Sequence, residues 1–479
     1  MPSLNRAVTT PLLFLFILGD ILGAGVYVLV GEVASQSGGA VWLPVLIALA
    51  LAVLTAGSYA ELATKYPRAG GASHYANRAF GPFAGSVAGF CMLAAGVVSV
   101  AALARAFGGE YLQEFVTLPT AVVATVVLVA LALLNIRGIK ESLRANVVAT
   151  LVEVGGLALI VGLGVWLVLR GDADFSRLAD FGNGEGTALG GVLGGAVLAY
   201  YSFLGFETSV NLGEETKDPR RSYPRALFGA LAVAGVVYLL IGVVASAVVP
   251  TDVLVESSGP LLEVVREAGG VPEWLFSLVA LVAISNGALL TGIMSSRLTY
   301  GMARDGLLPR VLATVLPGRR TPWVAVVVTS AASLVLALTG DVAGLAATLV
   351  LLLLIVFTAV NAAVLVLRRD RVEDDHFRVP TVVPWLGIGS CLLLFTQIEA
   401  DVWLRGLVLL AIGLALATVN AVRARRGSLT GDRDGTGDDS GNDSGNDSGN
   451  HPESGDDEDP AVTGAGRAPV RARDPKRSE

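Results

Sequence analysis

The chain has 479 residues, 53% of them hydrophobic and only 16% charged, with a formal net charge of −7. Ordinary globular domains carry about 25% charged residues, and apolar runs of membrane-spanning length recur here from Pro11 to Asn420. A soluble domain is therefore excluded, and so is a transmembrane barrel, whose alternating segments of about ten residues are absent. Cys91 and Cys391 both sit in apolar runs, and His74, His376 and His451 are scattered, so neither a disulfide framework nor a metal site is expected.

The first apolar run, roughly 9–33, contains Asp20, Gly19, Gly23 and Gly25. A helix interior glycine costs about 1 kcal/mol relative to alanine, and a charge at membrane depth costs about 2.5 kcal/mol or more. Two readings account for them. Gly19 and Gly23 have the small-xxx-small spacing of close helix packing. Alternatively the helix is interrupted at Gly23-Ala24-Gly25 and its freed amides bind a ligand, since broken backbone at membrane depth must line protein or a cavity. The run lacks a cleavage site and more spans follow, so it reads as a retained span.

Twelve spans are expected, near 9–33, 41–63, 82–105, 119–136, 146–169, 187–212, 226–249, 273–300, 323–340, 343–367, 382–398 and 402–422. Basic residues crowd alternate connectors: Lys65, Arg68 and Arg78; Arg137, Lys140 and Arg144; Lys217, Arg220 and Arg221; Arg319 and Arg320; Arg368 and Arg369. This asymmetry predicts a multi-pass protein of the cell membrane with both termini cytoplasmic. In the connector after the second span, Pro67, Gly70 and Gly71 mark a turn rather than a helix. Gly81, Gly85 and Gly89 then read as a small-residue packing ridge.

The fifth span carries Glu153 about two turns in. It is either a glutamate near the inner interface, hydrated or paired with Arg144, or a protonatable or cation-binding group facing the bundle interior. The sixth span repeats the pattern of the first, with Phe203-Leu204-Gly205-Phe206-Glu207 interrupting an apolar run. Paired interruptions at corresponding positions of two halves point to a midplane site in inverted-repeat transporters, which favours the ligand reading. After Arg426 the chain becomes Gly-Ser-Asn-Asp low complexity, expected to be a disordered acidic cytoplasmic tail over 427–479.

Five blocks together resemble the amino acid–polyamine–organocation permeases: Gly23-Ala24-Gly25-Val26-Tyr27; Tyr59-Ala60-Glu61-Leu62 with Tyr66-Pro67-Arg68-Ala69-Gly70-Gly71; Asn135-Ile136-Arg137-Gly138-Ile139-Lys140; Asn211 to Pro224; and Arg297 to Pro309. They occur in the family's order and run from the first span past the eighth. The resemblance implies an all-α membrane domain over 1–426, with five-span inverted repeats at about 9–170 and 187–368. Helices 1 and 6 would be discontinuous, and two extra helices would lie at about 382–422.

It further implies an amino acid substrate, its carboxylate on the amides of Gly23, Ala24 and Gly25 and its amino group on carbonyls near Ile21, Phe203 and Leu204. Gly205 would let backbone approach the ligand, Phe203 or Phe206 would cap the side-chain pocket, and Glu207 would either bind an ammonium or satisfy the broken helix. Ser285 and Asn286 would face the broken helices. Tyr59-Ala60-Glu61 and Arg304-Asp305 would be gate or packing groups. Several related permeases carry a lysine where this chain has Glu153. That leaves proton coupling, a bound cation such as sodium, or exchange without an ion, with Asp20 a second coupling candidate. No enzyme motif, organic cofactor or nucleic-acid partner is expected, and nothing in the spans points to an oligomeric state. An apolar and aromatic lining favours neutral amino acids. The readings to be separated are transporter, exchanger or exporter, and a membrane-bound amino-acid sensor.

Overall fold

The computed structural model describes residues 8–431, apart from 68–69, 138–141, 183–186, 213–215, 320, 371 and 373–374. Every regular element among them is helical. The first apolar run forms two helices, α1 (Thr10–Ile21) and α2 (Gly25–Ser37), bent by 45° at the intervening residues. The chain continues through α3 (Trp42–Lys65), α4 (Gly71–Phe80), α5 (Pro82–Phe107), α6 (Glu110–Gln113), α7 (Thr120–Arg137) and α8 (Ser142–Arg170). Next come α9 (Ala188–Ser202), a 3-10 segment at Phe206–Leu212, α10 (Pro219–Val248), α11 (Thr251–Glu256) and α12 (Pro260–Ala268). The remaining helices are α13 (Glu273–Arg304), α14 (Trp323–Thr339), α15 (Val342–Leu367), α16 (Val382–Phe395) and α17 (Ala400–Gly431).

Seven of the described helices are long and apolar enough to cross a membrane, or eight when the bent pair α1 and α2 counts as one span. Three shorter apolar helices are α9, α14 and α16. Their outward faces carry the sign of a lipid solvent: Val126 and Leu133 on α7 and Leu151 and Leu169 on α8 are exposed large apolar residues. With the family assignment below, this makes the chain a multi-pass membrane protein.

Contacts group residues 1–426 into one unit and 427–479 into another. Within the first, α1, α2, α3, α9 and α10 pack on one another, while α5 packs against α13 and α15. α15 also reaches α3 and α9, so it joins the two groups. Glycines make these approaches possible. A Cβ on Gly235 of α10 would meet the Leu49 side chain of α3 at 2.5 Å, and one on Gly156 of α8 would meet the Tyr27 hydroxyl at 2.6 Å.

The connector after α3 departs from expectation. The chain turns at Gly70, which has φ 119°, but helix resumes at once from Gly71. Ala72, Tyr75 and Ala76 of α4 are buried at helical spacing, so an amphipathic face overrides the turn signal of the paired glycines. Gly85 and Gly89 of α5 receive α4 through Asn77 and Ser73, whereas Gly81 has nothing within reach and instead ends α4 at φ 94°.

Candidate functional site

The two interruptions expected from the sequence lie against each other. α1 ends where the Leu22 amide donates to Leu18 O at 2.8 Å and the Gly23 amide to Ile21 O at 2.7 Å. α2 then starts at Gly25 with no side-chain cap. Amides of a helix's first turn have no intrahelical acceptor, and the helix dipole adds partial positive charge there, so this end suits an anion. Gly19, the packing alternative, does face a neighbour: a Cβ on it would lie 3.1 Å from Thr150 of α8. Gly23 lies in the break itself.

α9 ends at Ser202, followed by turn bonds from the Phe203 amide to Tyr200 O and from the Leu204 amide to Tyr201 O, each 3.1 Å. Gly205 follows at φ 124°, a left-handed conformation that L side chains rarely adopt. A Cβ at Gly205 would stand 2.7 Å from the carbonyl oxygen of Asp20, and one at Gly25 would stand 3.0 Å from Ser202 Cα. Each break is therefore pressed onto the other at a glycine.

Polar side chains tie this junction. The Thr208 hydroxyl is shared between two acceptors, the Asp20 carboxylate and Gly205 O, the latter at 2.9 Å. The Gly205 amide donates to Glu207 Oε2 at 2.8 Å. Glu207 is therefore engaged with the broken backbone, whatever else it binds. Tyr238 of α10 donates to Ile21 O at 2.6 Å. The Ile21 carbonyl, expected to be open to an ammonium, thus already has two donors, because the Gly23 amide reaches it as well.

The breaks open onto a cavity of about 110 Å³. Asp20, Ile21, Gly23, Ala24, Gly25, Leu204, Gly205, Glu207, Glu153 and Asn286 all line it, so most of the expected site residues are brought together. α5 adds Met92, Gly96 and Ser99, α13 adds Gly287, Leu290, Thr291 and Met294, and α15 adds Leu349 and Leu353. Three carboxylates line this space, and no lysine, arginine or histidine does among the described residues. Such a space holds about eight water-sized spheres, taking one as 10–15 Å³, which is the scale of a small zwitterion.

Glu153 is buried and lines the cavity, which favours the reading of a group facing the bundle interior; the pairing with Arg144 falls outside the residues whose side chains are described. Its Oε1 accepts from Asn286 Nδ2 at 3.2 Å, its backbone carbonyl accepts the Tyr27 hydroxyl at 2.8 Å, and its Oε2 is buried with no hydrogen-bond partner. The hydroxyl of Ser285 donates within its own helix to Leu281 O at 2.7 Å, and Ser285 does not line the cavity.

The aromatic caps are corrected too. Phe203 is fully buried with its ring edge-on to Tyr238 at 5.3 Å. Phe206 is stacked on Phe357 at 5.7 Å and edge-on to Tyr59 at 5.7 Å. Both rings pack into the core behind the break rather than over the cavity. Turning direction after the break decides this, and nothing in the order of residues fixes it. The ring that does line the cavity is Tyr201, whose hydroxyl lies 3.1 Å from that of Ser99. Nothing in the order of residues marks Thr208 or Gly287 as lining the site, whereas Tyr201 belongs to a visible polar pair inside an apolar run, Tyr200-Tyr201.

The model of the amino acid permease family matches residues 9–413. An uncharacterized transporter of Mycobacterium tuberculosis is 32% identical over 424 residues, covering 87% of this chain and 92% of the relative. The branched-chain amino acid permease BcaP of Bacillus subtilis is 26% identical, covering 86% and 92%. The methylthioribose transporter of the same species is 27% identical over the same shares. A vacuolar cationic amino acid transporter of Arabidopsis thaliana is 31% identical, covering 73% of this chain and 61% of its own length. These relatives are membrane transporters and not enzymes. On this match, which takes in nearly every described helix, the chain belongs to the amino acid permease family of the amino acid–polyamine–organocation superfamily.

Proposed function

We propose that the protein is a secondary transporter of amino acids working by alternating access, with neutral amino acids favoured. The observation that carries this is the meeting of two broken helices at one cavity, with Gly25 against Ser202 and Gly205 against Asp20. In this reading the substrate carboxylate takes the amides of Gly23, Ala24 and Gly25. Its ammonium takes the carbonyls at the end of α9, Phe203 and Leu204, with the Glu207 carboxylate beside them. The side chain then extends among Met92, Met294, Leu349 and Leu353, an apolar wall that suits an uncharged substrate. Glu153 and Asn286 form the coupling group, and Asp20 steadies the junction.

The architecture belonging to this proposal has twelve spans, two inverted five-span repeats and two extra helices, with both termini cytoplasmic. Support for the repeats comes from the matching positions of the two breaks. Support for the orientation comes from the basic connectors, such as Arg319 after α13 and Arg368 after α15.

Counterflow in proteoliposomes is the test. Vesicles loaded with unlabelled leucine should accumulate labelled leucine, and those carrying Gly205→Leu should not. A sensor would bind leucine without exchanging it, so binding with no counterflow in the wild type would overturn the transport reading.

A further inference from the structure

The chain entering α14 lies across the end of α7. The Arg319 guanidinium donates to the carbonyl oxygen of Arg137 at 3.2 Å, and the Thr321 hydroxyl to that of Ile136 at 3.0 Å. These bonds satisfy the last carbonyls of α7, but they leave the charge of both arginines uncancelled. Arg137 and Arg319 are exposed, and among the described residues neither meets a carboxylate. Arg297 of α13 follows Ser296, whose hydroxyl accepts from Asn135 of α7 at 3.3 Å, and it is exposed and unpaired as well, as is Arg310. Asp305, the one acid of the connector from α13 to α14, pairs with none of them. Arginines at the other end of the spans are treated differently: Arg170, Arg177 and Arg266 meet Asp172, Asp174 and Glu263 at 3.2, 3.7 and 2.5 Å.

The charged rim stands over an apolar wall. Val126, Val129, Leu133 and Arg137 recur at helical spacing on α7, so they form one stripe, and its three apolar members are exposed. α14 packs beside α7 and exposes Trp323 and Val327 from its first turns. Trp323 follows closely on Thr321 and so stands where the arginines give way to apolar surface, the level at which indole rings settle between headgroups and acyl chains.

We propose that the ends of α7 and α14 hold an anionic phospholipid, its phosphate on Arg137 and Arg319 and its acyl chains along the apolar stripe beside Trp323. A guanidinium offers its N–H groups as a planar fork that matches two phosphate oxygens, and Arg319 keeps donors beyond the one given to Arg137 O. A soluble anion would gain nothing from the wall, and a lipid without net charge would gain little from the arginines. The two together select a lipid that carries a negative charge. Its headgroup would then fasten α7 to the chain entering α14.

Brominated acyl chains quench a tryptophan that they touch. The full-length protein is reconstituted in phosphatidylcholine vesicles in which a minor share of the lipid is brominated phosphatidylglycerol or brominated phosphatidylcholine. Quenching of Trp323 is read as the difference between wild type and Trp323→Phe. Phosphatidylglycerol should quench this signal at a much lower share than phosphatidylcholine does. Arg137→Ala and Arg319→Ala should each cut that preference about fivefold, whereas Arg221→Ala, which removes an exposed arginine at the start of α10, should leave it intact. Equal quenching by the two lipids in the wild type overturns the proposal without any variant, and is the result expected if the acidic residues after Arg426 cover the arginines instead. A preference that survives in the double alanine variant sinks it too, since the arginines would then be idle. So does a preference that inorganic phosphate abolishes, which would make the site one for a soluble anion.

Discussion

Glu61 and Arg368 form a buried two-pronged ion pair, with Arg368 Nε and Nη2 each 2.7 Å from a different carboxylate oxygen. The pair fastens the end of α3 to the chain leaving α15, and so links the two packing groups of helices. The Val379 amide also donates to Glu61 at 3.0 Å, and Lys65 one turn on donates to Leu367 O at 2.6 Å and Asp370 O at 2.8 Å. Breaking one side of a buried pair strands the other charge, at about 3–5 kcal/mol. Glu61→Ala is therefore expected to lower the thermal midpoint sharply. Arg78→Ala, which removes the exposed pair with Asp370, should cost about 0–1 kcal/mol. Thermal unfolding of both variants in one detergent compares them, and equal losses would show that the Glu61 clasp carries no special weight.

Gly205 should tolerate no side chain. Gly205→Ala adds a left-handed strain of about 1–2 kcal/mol and a methyl group 2.7 Å from Asp20 O. Gly270→Ala, at φ 78° with open space around it, bears the strain alone. Uptake into proteoliposomes should vanish for the first variant and persist for the second.

Thr208 holds the Asp20 carboxylate across the junction of the breaks. Thr208→Val keeps the shape and removes the donor, leaving a buried carboxylate short of a bond at a cost of about 1–3 kcal/mol. Thr208→Ser keeps the donor. Leucine affinity should fall at least severalfold in the valine variant and stay close to wild type in the serine variant, measured by thermal stabilisation.

Arg266 gathers four carboxylates, Glu110 at 3.6 Å, Glu114 at 2.8 Å, Glu263 at 2.5 Å and Glu273 at 2.9 Å, and so ties α6 and α12 to the start of α13. Partial burial pushes the Glu263 carboxyl above its ordinary value, so the folded state holds that proton better than the unfolded chain does. That contribution is present at low pH and lost as pH rises through the folded value. Arg266→Ala leaves the four carboxylates without their shared counter-charge, and the ionised Glu263 partly buried without its ion partner. Its loss of thermal stability should be largest near pH 7.5 and shrink toward pH 5, as Glu263 takes up its proton. A deficit independent of pH would mean that packing of the arginine stem, not charge, is what is lost.

The helical membrane class and both breaks are legible in the order of residues, because a glycine and a carboxylate inside a spanning run are expensive and need a reason. Gly23 to Gly25, Gly205 and Glu207 accordingly sit on the cavity. Directions around a break are not legible. Phe203 and Phe206 lie on either side of Gly205 in the chain, which turns at φ 124°, yet both rings are buried in the core. The closing of the Ile21 carbonyl by Tyr238 depends on a residue 217 positions away. α4 is hidden in the order of residues because the turn signals of Gly70 and Gly71 outweigh its short amphipathic face. The partner of Glu61, 307 residues distant, is likewise a product of packing alone.

The central claim is that the two helix breaks grip an amino acid. Electron cryomicroscopy of the protein saturated with leucine tests it directly. The account predicts density for the ligand between the breaks, its carboxylate within hydrogen-bonding distance of the amides of Gly23 to Gly25. Ligand density elsewhere, with the Gly25–Ser202 and Gly205–Asp20 junctions unoccupied, would contradict it.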